Sequence, residues 1–113
     1  MRIEKVNELL KQELGRILLE GFDFTQGTLV TILAVETADN LERARVWVSI
    51  LPESVTGTTM AELQSRIGDI QKKLNRKLAL RFVPRISFKL DASERYAAHI
   101  DEVMRGEGRQ EVK

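Results

Sequence analysis

Residues 42–51 read ERARVWVSIL, and the alternation within this stretch decides the fold class. Small or branched apolar residues alternate with polar and aromatic ones: Ala44, Val46, Val48 and Ile50 stand against Arg43, Arg45, Trp47 and Ser49. A period of two is typical of a strand that buries one face. We therefore predict a half-buried strand, with Arg45 and Trp47 on the more open face of a sheet.

Two further strands are predicted on either side of this one. Residues 28–37 are rich in Thr, Val, Ile and Leu, and the Asp39-Asn40 pair that follows is typical of a turn. The short connection predicts an antiparallel hairpin with residues 42–51. Residues 86–90 alternate in the same way and predict a third strand.

Helical periodicity fills most of the remaining chain. Apolar residues recur every three or four positions over residues 2–20 and 59–80, which predicts two amphipathic helices. Gly68, inside the second, indicates a kink, a close approach of backbone or a break into two helices. Residues 93–105 predict a short final helix, and residues 106–113, with almost no apolar side chains, predict a disordered tail.

The element order is therefore α-β-β-α(kinked)-β. Strands and helices mixed with a hairpin predict an α+β domain, in which a three-stranded sheet carries its helices on one face. A chain of 113 residues has room for one such domain, which we place at residues 1–105.

Composition argues against several classes of protein. The chain has no Cys and one His, which excludes disulfides, thiolate metal sites and histidine clusters. No apolar run approaches the ~18 residues of a membrane span, and the N-terminal residues do not resemble a signal peptide. We therefore expect a cytoplasmic, monomeric protein without cofactor, metal, membrane or small-molecule substrate.

No arrangement of residues supports catalysis. His99 and Asp101 are two positions apart, so they do not face each other on a helix. Gly106 and Gly108 follow no strand and do not form a phosphate loop. The serines lack triad partners, and a phosphatase-like hydrolase would need an anion-activating site that the sequence does not offer. We therefore expect a protein that is not an enzyme.

Charge is segregated along the chain, although the net charge is only +1. Residues 65–90 carry eight basic residues and one acid, Asp69, whereas the segments on either side are net acidic. The basic residues are Arg66, Lys72, Lys73, Arg76, Lys77, Arg81, Arg85 and Lys89. A basic ridge of this kind binds phosphate backbones through counterion release. The alternative is an ordinary solvated helix face, although such faces usually mix both signs.

The few aromatic residues leave two interpretations open. Trp47 either stacks on a base or has a structural role, in which it covers the open face of the sheet or packs on the final helix, and we favour the structural role. We expect Phe82 and Phe88 in the core. A protein-binding adaptor that uses the sheet face around Trp47 is the rival to a nucleic-acid binder, and salt dependence separates the two.

Four segments of the chain form a pattern that covers nearly its whole length. They are RIEKVNELL at 2–10, DNLERARVWVS at 39–49, LALRFVPRISF at 78–88, and DAS at 91–93 followed by AHIDEV at 98–103. Each is weak alone, but together, in this order and spacing, they are specific. The chain resembles the ribosome-binding factor A family of bacterial small-subunit assembly factors.

This resemblance implies a type II KH-like fold of order α-β-β-α-α-β. It also implies binding to the small (30S) ribosomal subunit and its 16S rRNA, with small-subunit ribosomal proteins as further partners. The implied activity is help in late maturation of that subunit, including 5′-end processing of the 16S rRNA, during growth in the cold. The family is similar to KH domains but has an Ala-x-Gly turn in its kinked helix; here Arg66-Ile67-Gly68 aligns with that turn, and Arg66 takes the Ala position.

Charge and resemblance together give the predicted RNA-binding residues. The kink contributes Gly68 because backbone can approach RNA there, and the hairpin contributes the two arginines beside Trp47. The full set is Arg43, Arg45, Arg66, Gly68, Lys72, Lys73, Arg76, Lys77, Arg81, Arg85 and Lys89.

Overall fold

The sequence places a helix first, a hairpin next, then two consecutive helices and a last strand. The computed structural model describes residues 2–24 and 26–91 of the chain. Its elements are α1 (Ile3–Gly21), β1 (Leu29–Thr37), β2 (Arg43–Leu51), a 3₁₀ turn (Glu53–Val55), α2 (Thr56–Ser65), α3 (Ile67–Lys77) and β3 (Arg85–Leu90). The predicted α+β order is confirmed. The predicted final helix at 93–105 and tail at 106–113 lie outside the described residues.

The strands form one sheet of order β1-β2-β3, in which β2 is central. β1 and β2 pair antiparallel, so the predicted hairpin is confirmed, and a bulge lies between Ile32 and Ala34. β3 pairs parallel to β2, with Phe88 opposite Val46. Because β3 returns beside β2 rather than beside β1, the start of β3 lies next to the hairpin turn.

The core lies between the helices and one face of the sheet. Val46 and Val48 of β2 are fully buried, as are Leu10 and Leu14 of α1 and Leu74 of α3. These residues belong to a single cluster that also includes Leu63 of α2 and Phe88 of β3. All three helices therefore cover the same face, as the alternation in β2 predicts.

The predicted kink is a break between two helices, and it lies at Arg66 rather than at Gly68. Arg66 has φ −108° and ψ 10°, which ends α2 and starts α3. Gly68 belongs to the first turn of α3, and a Cβ added there would meet no atom within 4 Å. Among the described residues, no atom lies close enough to Gly68 to require a glycine at this position.

The second helical segment is also shifted with respect to the prediction of 59–80. It starts at Thr56 and ends at Lys77. Leu78 leaves the helix with extended backbone, ψ 131°. Leu78 stands at a helical spacing from the buried residues of α3 and packs against the core, although it belongs to the connecting loop. The spacing of apolar residues therefore does not distinguish a last helical residue from a loop residue that packs against the same core.

Phe82 corrects another expectation, since its side chain is 77% exposed. Phe88, in contrast, is buried as predicted. In the loop before β3, Pro84 is fully buried and Val83 packs against the core. The Phe82 ring, one position before them, points outward. No described helix is long and apolar enough to cross a membrane.

Candidate nucleic-acid interface

One group of basic residues lies on α3, and we call it the helix ridge: Lys72, Lys73, Arg76 and Lys77. Ile70 and Leu74 of the same helix are buried, so the basic positions turn outward. Lys72, Arg76 and Lys77 are exposed, and Lys73 is half-buried. Within residues 2–24 and 26–91 the one ion pair is Arg16 with Glu13, at 3.6 Å. The exposed cations of the helix ridge are therefore available for a phosphate backbone.

The helix ridge has acidic neighbours that its own sequence does not contain. α1 packs beside α3 and brings Glu13 and Glu20 into a groove with Lys73, Arg76 and Lys77. This groove has a volume of about 620 Å³. The side of α3 that faces α1 therefore carries both acidic and basic side chains, although residues 65–90 themselves contain a single acid. Lys72 lies outside that groove.

Arg66, a predicted RNA-binding residue, makes contacts within the fold. Its guanidinium donates a hydrogen bond to the carbonyl oxygen of Gly21 at 3.3 Å. Its guanidinium carbon also lies 4.0 Å from the ring centre of Phe22, and Phe22 stacks on Phe24 at 5.2 Å between ring centres. Arg66 therefore binds the C-terminal end of α1, where backbone carbonyls lack helical partners.

Lys73 approaches the same helix end. Its Nζ would lie 3.0 Å from a Cβ built on Gly21, so the ammonium occupies the space that a side chain would need. α1 has no basic residue in its own last turn, and the cations that favour this end of its dipole come from the helices packed beside it. Arg66 and Lys73 are thus committed, wholly or partly, to the fold.

A second group of basic residues lies on the opposite face of the sheet, and we call it the sheet-face cluster: Arg43, Arg45, Arg85 and Lys89. Arg43 pairs with Arg85 across β2 and β3, and Lys89 pairs with Trp47. The cluster lines a shallow cavity of about 370 Å³. Since the helices cover the other face, the helix ridge and the sheet-face cluster lie on opposite sides of the sheet. The eleven predicted residues divide into separate groups.

Trp47 lies on the sheet face with the cluster but is only 9% exposed. Its Nε1 donates a hydrogen bond to Glu36 Oε1 on the neighbouring strand at 2.5 Å. A ring buried to this extent covers the sheet and does not offer a stacking surface, whereas the alternative of packing on the final helix concerns residues outside the described ones. Among the described residues, the large apolar side chains exposed on this face are Leu29 and Leu51, which pair across the hairpin.

The remaining predicted residue, Arg81, belongs to the loop before β3. Its guanidinium carbon lies 5.5 Å from the ring centre of Phe82. Both residues line a cleft of about 740 Å³, together with the hairpin turn and the start of α1. The sequence pattern did not predict Phe82 as a surface residue. The sequence signal was its position in RFVPR, between two arginines and directly before the Val83-Pro84 pair that interrupts regular structure.

The described residues hold no group of three or more His, Cys, Asp or Glu side chains suited to a metal ion.

Comparison with known proteins places this fold in a family. The model of the family described as ribosome-binding factor A matches residues 2–104. The ribosome-binding factor A of Akkermansia muciniphila is 40% identical over 92 residues, covering 81% of this chain and 73% of that protein. That of Desulfitobacterium hafniense is 33% identical over 113 residues, covering 99% and 90%.

A solved structure resembles the fold as well. The crystal structure of ribosome-binding factor A from Thermus thermophilus superimposes with a TM-score of 0.69 at 20% identity, covering 79% of this chain and 94% of that one. At this identity the likeness concerns the fold, while the family model and the sequence relatives carry the assignment. The chain is therefore a member of the ribosome-binding factor A family.

Proposed function

We propose that this protein binds the small ribosomal subunit as a monomer in the cytoplasm and contacts its 16S rRNA without covalent chemistry. It assists late maturation of that subunit, including 5′-end processing of the rRNA, and matters most for growth in the cold. The names of its relatives support a ribosomal partner. The contact with the small subunit, the help in rRNA processing and the role during growth in the cold are what the family resemblance implies.

The observation that carries the proposal is the helix ridge. Lys72 and Arg76, one turn apart on α3, and Lys77 next to Arg76 are exposed and have no ion-pair partner among residues 2–24 and 26–91. Cations left without carboxylate partners bind phosphates with little loss of competing interactions. Such contacts position a protein on RNA but do not read its sequence. Specificity then comes from the shape of the rRNA.

A protein that assists maturation has to distinguish immature from mature subunits. A ligand shifts an equilibrium only by the difference in its affinity for the two states. We therefore expect tighter binding to immature subunits, in which the rRNA conformation that the ridge fits is present, and release when the mature conformation forms. Equal affinity for both particles would exclude this mechanism.

The test is cosedimentation of the purified protein with small subunits, large subunits and whole ribosomes over a salt series. Binding confined to small subunits supports the proposal. With about six phosphate contacts, affinity should fall about a thousandfold between 50 and 200 mM salt. Equal binding to every particle would mean that the helix ridge binds polyanions in general and is not specific for the small subunit.

Two double variants with equal charge change assign the face. The first is Lys72→Ala/Arg76→Ala on the helix ridge, and the second is Arg45→Ala/Lys89→Ala on the sheet-face cluster. Loss of two phosphate contacts should lower the salt dependence to about 150-fold over the same range. We expect this for the ridge variant and wild-type behaviour for the sheet-face variant. The reverse result would move the RNA contact to the sheet.

The second candidate function is a protein-binding adaptor. The observation that favours it is the pair Leu29 and Leu51, 57% and 53% exposed and directly paired on the sheet face. An apolar contact of this kind loses little affinity with salt. Salt-insensitive binding to the subunit, abolished by Leu29→Ser/Leu51→Ser, would favour the adaptor over the RNA binder.

A further inference from the structure

The cleft around Phe82 is a feature that the helix ridge does not explain. α1 runs for 19 residues, which corresponds to about 28 Å at 1.5 Å per residue. The Arg66 break contacts its C-terminal end, at Gly21. The cleft is lined by Val6, near its N-terminal end. The cleft and the break are therefore well separated, at opposite ends of the helical layer.

The walls of the cleft come from two loops. One is the hairpin turn with Asn40, Leu41 and Glu42, and the other is the segment 80–85 that precedes and begins β3. The backbone N–H of Arg85 donates to the carbonyl oxygen of Glu42 at 2.9 Å, which ties the loops together. The cleft of about 740 Å³ lies within the ~300–1,000 Å³ that small-molecule sites usually occupy.

The hairpin turn is held in a single shape. The N–H of Leu41 donates to the carbonyl of Ala38 at 2.8 Å, and the N–H of Glu42 donates to Asn40 Oδ1 at 3.0 Å. Leu41 adopts φ 64°, a left-handed conformation that costs a branched side chain energy. Its side chain packs against the core, which holds it there. The wall is thus formed before any ligand arrives.

The chemistry of the cleft is an exposed aromatic ring among cations. Phe82 is 77% exposed, although it sits beside a well-packed core. Arg43, Arg81 and Arg85 line the cleft, and the acid among its lining residues, Glu42, is held by the side-chain amide of Asn40 at 3.1 Å. An exposed ring costs free energy in water. A ligand with a flat apolar surface and negative charge complements both features.

We propose that this cleft binds one unpaired nucleotide of single-stranded RNA, whose base stacks on Phe82 and whose phosphates contact the three arginines. Stacking on aromatic side chains together with basic contacts is how proteins hold single-stranded RNA. Asn40 and Glu42 provide polar groups for the base edge. The inference rests on the proposed function for its ligand class and adds a second, single-strand site to the helix ridge.

The experiment uses the full chain and a single-stranded RNA of about ten nucleotides with one 2-aminopurine. Stacking on a ring quenches the fluorescence of this base. Wild type should quench it, and Phe82→Ala should lose the quenching and at least about fivefold in affinity. Phe82→Tyr keeps a ring and should behave as wild type. Leu19→Ala, which removes an 83% exposed apolar residue on α1, is the matched control.

The outcomes separate this site from the ridge. Equal affinity and quenching in Phe82→Ala and wild type, or no oligonucleotide binding by wild type, would overturn the inference. If wild type also sediments with small subunits, the proposed function survives that failure. If oligonucleotide binding depends on Phe82 while no small subunit is bound, the cleft is supported and the proposed function fails.

Discussion

Replacing Arg66 by Ala tests whether this residue serves the fold before it serves RNA. The substitution removes the hydrogen bond to the carbonyl of Gly21 at 3.3 Å and the cation over the Phe22 ring at 4.0 Å. It also removes positive charge from the C-terminal end of α1, which has no basic residue of its own there. The break between α2 and α3 is thereby released from α1.

The magnitude follows from these contacts. A hydrogen bond from a charged group contributes about 1.5–3 kcal/mol, but the 3.3 Å separation is long and places this bond at the low end. The cation over the ring contributes about 0.5–1 kcal/mol at a half-exposed site. One guanidinium makes both contacts, so the contributions overlap, and we expect a loss of about 1–2 kcal/mol in the free energy of unfolding.

Thermal and urea unfolding, followed by circular dichroism, measure this loss. A change of about 1–2 kcal/mol in a chain of this size should lower Tm by about 4–8 °C. Arg66→Lys keeps the charge but lacks the planar fork, so it should recover only part of the loss. Arg76→Ala, exposed on the same helix pair, should stay within about 0.5 kcal/mol of wild type.

A double-mutant cycle isolates the ring contact. Phe22→Leu keeps apolar volume but removes the aromatic face, and the coupling between this change and Arg66→Ala should be about 0.5–1 kcal/mol. If Arg66→Ala melts at the same temperature as Arg76→Ala, the contacts with Gly21 and Phe22 contribute nothing. The reasoning that assigns Arg66 to the fold would then be refuted, and the residue would be free for RNA.

Three further substitutions test the packing that holds the interface in place. Gln71→Leu removes the acceptor of the Ile86 N–H, 3.0 Å away, and should cost about 1–3 kcal/mol in urea unfolding, and Gln71→Glu, which keeps this acceptor but loses the donor to the carbonyl of Pro84 at 3.1 Å, should be destabilised as well. Asn7→Leu leaves the N–H and hydroxyl of Thr37 without their shared acceptor; chemical denaturation should show a loss of about 1–3 kcal/mol, and a wild-type midpoint would contradict it. Leu63→Ala empties a fully buried position and should lower stability by about 2–5 kcal/mol without changing oligonucleotide quenching in the fraction that remains folded.

Several features of the fold could be predicted because their signals are local. Alternation over residues 42–51 identified β2 and its buried face, since a strand places successive side chains on opposite sides. The stripe through Val6, Leu10 and Leu14 identified α1 and its buried side, which are confirmed. The glycine at position 68 indicated a break in the second helical segment, and the break lies at Arg66, the first residue of the Arg66-Ile67-Gly68 turn.

The candidate site was less predictable, since it depends on contacts between distant segments. The sequence of residues 65–90 is strongly basic, yet α1 packs Glu13 and Glu20 beside the helix ridge and leaves Lys72 outside the groove. Arg66 is predicted as an RNA contact from its place in this basic segment, whereas its contacts with Gly21 and Phe22 join residues that are distant in sequence. The basic residues of β2 and β3 could not be assigned to the opposite face before the sheet order was known.

The sequence by itself determined the elements, the buried stripes and the amount of charge, because these depend on the period of apolar residues and on composition. Tertiary structure alone decided which charges share a surface, which are used within the fold, and which ring is exposed. Phe82 illustrates the difference. It stands beside Val83 and Pro84, which pack into the core, and only the return of the chain to β3 beside the hairpin turn leaves its ring over a basic cleft.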